Sequence, residues 1–309
     1  GRRADRFEFG GALVIHLPLL TESRLRAYRR CPREEKLRYQ DGLLTSRSAA
    51  LDFGTLIHGC LEHWWRGSLD DVEHWLAEQS CDAFDKAKAW ALMRGYEARY
   101  ADDRERFDVI AVEAEFRAPL VNPATGAESR TWQLAGKIDV TVRERATGDV
   151  LIVEHKTSSE DITPGASYWV RLRMDGQISC YFVGSTALGY PPVGCIYDAI
   201  GKPQLRPYQV SSKRATAETP EEYGERILAA IAEDPDRYYQ RSRVVRLENE
   251  LREWQLDTWQ QATQLRDAKR LGVATRNPDQ CVRFGSQCGY LPLCAGETNA
   301  DAYQRAEWK

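Results

Sequence analysis

The chain has 309 residues, enough to bury a substantial core, and its charge is plentiful but balanced at a net of −3. That balance excludes a globally basic nucleic-acid binder, so any nucleic-acid site has to be a local basic patch. No apolar run reaches the length of a transmembrane helix, so no membrane partner is expected and a cytoplasmic location is.

Gly11 to Leu20 is apolar and follows Arg2, Arg3 and Arg6, but it carries His16 and Pro18 and lacks a small-residue cleavage site. It reads as a strand or an extended lead-in, not a signal peptide. Thr21 to Tyr39 reads as helix, capped by Thr21 or Ser23 and interrupted or re-initiated at Cys31-Pro32. Arg24, Arg26, Arg29 and Arg30 make this stretch basic. They form either an ordinary solvated face or the candidate DNA-contacting surface. Phe53-Gly54-Thr55 opens a second helix, Leu56 to Trp65, and a third helical region is expected from Val72 to Tyr100.

Strand signals begin at Phe107, turn at Asn122-Pro123-Ala124-Thr125-Gly126 and resume from Thr131 to Ala135. Two strings then carry the most information: Gly136-Lys137-Ile138-Asp139-Val140, and an apolar, β-branched strand from Val150 that ends in Glu154-His155-Lys156-Thr157. Glu154 and Lys156 are two apart, so the pleat puts both side chains on one face. Between the strings lies a polar turn in which Gly148 can take a positive φ. A hairpin folded about Ala146–Thr147 sets Asp139 opposite Glu154; one folded about Thr147–Gly148 sets it opposite Lys156. Either register gathers two carboxylates and an amine, a set suited to a divalent cation and a phosphate.

Gly165 to Gly189 is expected to be mainly helical, with Gln177 and Tyr181 on one face. Val193 to Ala199 reads as strand, and Ala217 to Glu233 as helix with N-terminal signals from Thr219 to Glu222. Val244 to Leu271 reads as a long helix whose apolar stripe is broken by Thr258 and Gln261. Helices before a mixed sheet, with more helices after it, indicate α/β or α+β organisation. Of eight cysteines, Cys60, Cys81, Cys180 and Cys195 sit in apolar or helical surroundings and read as small hydrophobes. Cys281, Cys288 and Cys294 cluster within 14 residues, which in a reducing compartment indicates a metal.

Asp139 with Glu154-His155-Lys156 resembles the signature of the PD-(D/E)XK nuclease superfamily. The resemblance implies an α/β fold with a mixed central sheet flanked by helices, a restriction-endonuclease-like core. It implies a single nuclease unit over residues 1–309, with a helical part at 20–105, the core at 106–215 and a second helical part at 216–309. The RecB-like branch adds a helical Gly-X-X-X-His element, matched by Gly54 to His58, and a Gln-X-X-X-Tyr element, matched by Gln177 and Tyr181. By that resemblance His58 is a metal ligand beside Asp139 and Glu154, although by its neighbours Leu56, Ile57 and Leu61 alone it reads as a core residue. Catalysis is assigned to Asp139, Glu154, Lys156, Gln177 and Tyr181, with Mg²⁺ or Mn²⁺ as the cation. The backbone carbonyl of His155 is a further ligand, its side chain pointing to the sheet's other face. Glu113 or Glu115 assists from outside the ligand set.

One early cysteine, Cys31, with Cys281, Cys288 and Cys294 resembles the iron–sulfur nucleases: AddB-type helicase–nucleases, CRISPR-associated RecB-like exonucleases and related phage exonucleases. The implied cofactor is a [4Fe–4S] cluster stapling the N- and C-terminal segments, with zinc as the competing reading. Six residues separate Cys281 from Cys288 where many members have two. The implied function is a metal-dependent DNA exonuclease in recombination, repair or phage DNA processing. Phosphate-loop and helicase motifs are missing from the chain, so unwinding needs a recombination, annealing or helicase partner. The alternatives are an endonuclease or CRISPR spacer-acquisition nuclease, and a catalytically silent DNA-binding scaffold.

Overall fold

The computed structural model describes residues 17–46, 49–211, 215–283 and 285–306; most of the expected lead-in, residues 11–16, lies outside them. The chain enters at β1 (Leu19–Leu20). Thr21 accepts the Arg24 amide at 3.2 Å and starts α1 (Glu22–Arg30), as an N-cap threonine does. Pro32, which has no amide to donate, re-initiates the chain as α2 (Pro32–Glu35). A π turn (Lys36–Gln40) and β2 (Leu43–Leu44) lead to α3 (Ala49–Arg66), which begins earlier than Leu56. The expected third helical region is two helices, α4 (Leu69–Glu78) and α5 (Ala83–Tyr100), because Ser68 and Asp82 each cap a new start.

A short α6 (Asp103–Arg106) precedes β3 (Phe107–Val121) and β4 (Glu128–Glu144). The sequence reading splits β4 at Gly136; the structure keeps one long strand. Gly136 is there for space, since a Cβ would meet the Phe116 ring at 2.7 Å. Gly148 takes φ 77° in the turn to β5 (Val150–Ser158). A 3₁₀ segment (Ser167–Met174), α7 (Gly176–Ala187), β6 (Gly194–Gly201) and α8 (Pro220–Glu233) follow. Next is β7 (Tyr239–Val244), a strand that the sequence reading omits, and only then α9 (Glu248–Leu271). The tail holds β8 (Val282–Arg283), β9 (Ser286–Gln287), α10 (Leu291–Ala295) and β10 (Gln304–Arg305).

β4 is the spine of the mixed sheet. β3 runs antiparallel along one of its edges. The other edge is shared: β1 lies parallel at Gln133–Leu134, and β5 lies antiparallel at Val140–Arg143. β6 is parallel to β5, and β7 closes the sheet antiparallel. Apolar residues of α3, α4, α5 and α8 pack on one face, and those of α1, α7 and α9 on the other. Among the described residues, β4 has no strand neighbour on the shared edge between Leu134 and Val140. The sheet forks there, and the candidate site lies at the fork.

Candidate active site

Of the two hairpin registers, the structure takes the one folded about Ala146–Thr147: Val140 pairs with Val153 and Arg143 with Val150. One step beyond the last pair, Asp139 stands opposite Glu154. On the far side, the pairs Val112–Val140 and Ala114–Ile138 bracket Glu113 and set it across from Asp139. Glu113, Asp139 and Glu154 therefore form one row across three neighbouring strands. Like charges opposed in a sheet repel, so the row requires cations. Each end has a lysine: Lys137 pairs with Glu113, and Lys156 with Glu154. In the middle, Asp139 Oδ2 accepts the His155 amide at 2.9 Å. That bond replaces a ladder bond where β5 parts from β4.

α3 brings His58 over the row, its Nδ1 3.7 Å from Asp139 Oδ2. One ligand atom each of His58, Glu113 and Asp139 lie within 4.8 Å of one another. Burial pushes the His58 imidazole down to about 4, so at neutral pH it is uncharged and has a lone pair to give. Glu154 is 1% exposed, and its Oε2 has no hydrogen-bond partner. Burial and the neighbouring Asp139 push its carboxyl up to about 8. Burial opposes the Lys156 charge, but Glu154 and Asp139 outweigh it and raise the ammonium above its ordinary value. An unpartnered buried carboxylate oxygen, two more carboxylates and a neutral imidazole fit Mg²⁺ or Mn²⁺.

The structure sets the Glu113 carboxylate, read from sequence as lying outside the ligand set, in one group with His58 and Asp139. Its cause is backbone conformation: at φ 56°, Glu113 is the one non-glycine with positive φ among the described residues. Only its alternation with exposed Glu115, one strand from Asp139, was available as a signal in the sequence. Asp175 caps α7 by accepting the Gln177 amide at 2.8 Å, and Gln177 Nε2 donates to Tyr181 Oη at 2.7 Å. Burial and the charges of Glu154 and Asp139 raise the Tyr181 phenol. It therefore stands beside the row as a neutral hydroxyl.

The His155 side chain points to the other face, into a buried polar network. Trp65 Nε1 donates to its Nε2 at 2.9 Å, and its Nδ1 faces Asp198 Oδ2 at 3.1 Å. Because Nε2 accepts, the ring proton belongs on Nδ1. Asp198 Oδ2 also accepts from Tyr96 Oη at 2.5 Å and from Arg241 Nη2 at 3.1 Å, while Arg241 Nη1 reaches Asp103 at 2.6 Å. Trp65 lies two helical turns after His58 on α3. The network thus ties the helix that carries His58 to the strand that carries Glu154 and Lys156.

The four cysteines Cys31, Cys281, Cys288 and Cys294 line one cavity of about 30 Å³, with Leu37 and Tyr290. Asn277 Nδ2 donates to the Arg30 carbonyl at 2.9 Å and joins the tail to the end of α1. Burial raises the Cys288 and Cys294 thiols, so a nearby cation is needed to hold them as thiolates. Cys60, Cys180 and Cys195 are buried, but Cys81 departs from the sequence reading and lies exposed between α4 and α5. The α1 arginines divide. Arg24 pairs with Glu35 and stacks over Trp132, Arg29 pairs with Glu22, and Arg30 with Glu34. Arg26 is half-exposed and 3.9 Å from Asp175.

A family model described as the PD-(D/E)XK nuclease superfamily matches residues 20–295. No curated protein gives a significant match. Among solved structures, a Eubacterium rectale protein provisionally named an exonuclease is 12% identical, with 89% of this chain and 92% of that one covered and a TM-score of 0.49. The protein SSO0001 is 13% identical, with 93% and 90% covered and a TM-score of 0.35.

Proposed function

The chain belongs to the PD-(D/E)XK nuclease superfamily, and from that premise we propose that it is a divalent-metal-dependent deoxyribonuclease that digests DNA from free ends. The observation that carries the reading is the row of Glu113, Asp139 and Glu154, with Lys156 at its end and His58 over its centre. His58, Glu113 and Asp139, with Glu154 and the His155 carbonyl beside them, would hold the cation. When bound, the metal supplies a Lewis acid for a phosphate oxygen and an acidified water. Lys156, kept cationic by Glu154 and Asp139, faces the charge that develops on the phosphoryl oxygens. Tyr181 and Gln177 donate hydrogen bonds that can orient a non-bridging oxygen. End-directed digestion, and a place in recombination, repair or phage DNA processing beside a helicase or annealing partner, are supported by the RecB-like pairing of His58 with Gln177 and Tyr181.

We read the four-cysteine cavity as an iron–sulfur site. Four cysteines from two distant stretches of chain line one cavity, which supports a centre held by cysteine sulfur, and the resemblance to the iron–sulfur nucleases favours iron and sulfide over zinc. One experiment tests the nuclease reading: end-labelled linear DNA and closed circular DNA are incubated with the protein and Mg²⁺ or Mn²⁺. Linear DNA should be lost and circles spared. Cut circles would make it an endonuclease, and two intact substrates would sink the enzymatic reading. Asp139→Ala, Glu154→Ala and Lys156→Ala should each abolish cleavage while leaving the circular dichroism spectrum unchanged.

A further inference from the structure

We propose that Lys137 is a resident counter-cation of the metal site, holding Glu113 in the metal-free protein and releasing it when a divalent cation binds among His58, Glu113 and Asp139. The inference rests on the reading that this site takes a divalent cation, and goes beyond it by giving Lys137 and Glu113 paired roles. Register sets Lys137 across from Glu115, yet its ammonium pairs with Glu113 instead. Glu113 reaches that position through a positive φ, a conformation that L-residues adopt only where the surroundings enforce it. A register shift between Val109 and Ala111 lies just upstream and alters the course of β3.

The two partners differ in freedom. The Glu113 side chain is 13% exposed and held, while that of Lys137 is 52% exposed and can swing outward. Lys156, at the other end of the row, pairs with a carboxylate that is almost fully buried. Of the two ammoniums, that of Lys137 is the one with room to leave the row. A divalent cation and an ammonium on the same carboxylate also repel strongly at short range. Once released, Lys137 stands at the rim of the site, where a DNA phosphate can take it up.

The test is isothermal titration of Mn²⁺ into the full chain, its Lys137→Met and Glu113→Gln variants and the double variant. Lys137→Met should tighten Mn²⁺ binding by about tenfold, because a competing charge is gone. Glu113→Gln should weaken it by about as much, and in its presence Lys137→Met should no longer tighten it, since the contested carboxylate is absent. Melting without metal should fall in Lys137→Met and recover when Mn²⁺ is added. If that variant does not fold, Lys137→Gln must show the same tightening. Unchanged or weaker Mn²⁺ affinity on loss of the Lys137 charge would overturn the exchange while leaving the metal site intact. An unaltered protein that binds no Mn²⁺ would overturn both.

Discussion

Asp198→Asn removes one charge from the network behind β5 and keeps the shape of the side chain. Asp198 is 0% exposed, and its Oδ2 meets Tyr96 at 2.5 Å and both Arg241 and His155 at 3.1 Å. Burial alone would raise its carboxyl, but Arg241 and His155 outweigh burial and hold it well below its ordinary value of 3.8. Breaking one partner out of a buried pair costs about 3–5 kcal/mol. Arg241 keeps Asp103 at 2.6 Å, and the asparagine oxygen still accepts one hydrogen bond, so the lower figure applies. With about 2.1 cal/mol/K of unfolding entropy per residue, 309 residues give about 0.65 kcal/mol/K, and a loss of about 3 kcal/mol lowers the Tm by about 5 °C. The pH dependence has a definite sign. A carboxyl depressed in the folded state contributes fully above its unfolded value and loses that contribution as pH falls towards the folded one. Calorimetric melts should therefore show the same gap between variant and parent at about pH 6 and about pH 8, closing only below about pH 4. A fall of less than about 1 °C, or a gap that widens in acid, would refute the reasoning.

Two other expectations concern the cysteines and α1. Protein prepared without oxygen should be brown and contain iron and sulfide, and Cys31→Ser, Cys281→Ser, Cys288→Ser or Cys294→Ser should remove the colour whereas Cys81→Ser should not. Stoichiometric zinc without iron would end the cluster but spare the ligands. Arg26→Ala should lower the salt dependence of DNA binding by about 0.7–0.9 in log–log slope, while Arg24→Ala should act chiefly on stability through Glu35 and Trp132. An unchanged slope for Arg26→Ala would place the DNA track elsewhere.

What could be read from the sequence is what depends on near neighbours. Asp139, Glu154 and Lys156 were legible because strand period and a short hairpin fix their relation within two dozen residues, and the structure then chose between two registers. Thr21, Pro32 and Gly148 act where their local chemistry says they should. The omissions share a different physics. Strand β7 carries Gln240-Arg241-Ser242-Arg243, polar residues that look like a helix lead-in until Arg241 is seen paired with Asp198 from β6 and Asp103 from α6. Glu113 is placed by a backbone angle that no residue type in its neighbourhood announces.

The same reasoning explains how so apolar a strand as β5 can end in Glu154-His155-Lys156 and stay buried. Alternation sends the middle residue one way and its neighbours the other, so each must be satisfied on its own side. On one side Glu154 and Lys156 pair with each other beside Asp139. On the other, His155 is held between Trp65 and Asp198, which have no place in the motif. Its backbone amide meanwhile reaches Asp139, so one residue is fixed at its ring and its main chain at once. Trp65 shares α3 with His58, and a shift of that ring would move the helix that carries the imidazole as well as the strand beneath it. The geometry of the row is therefore set as much from behind the sheet as from its open face, by residues that a motif search passes over.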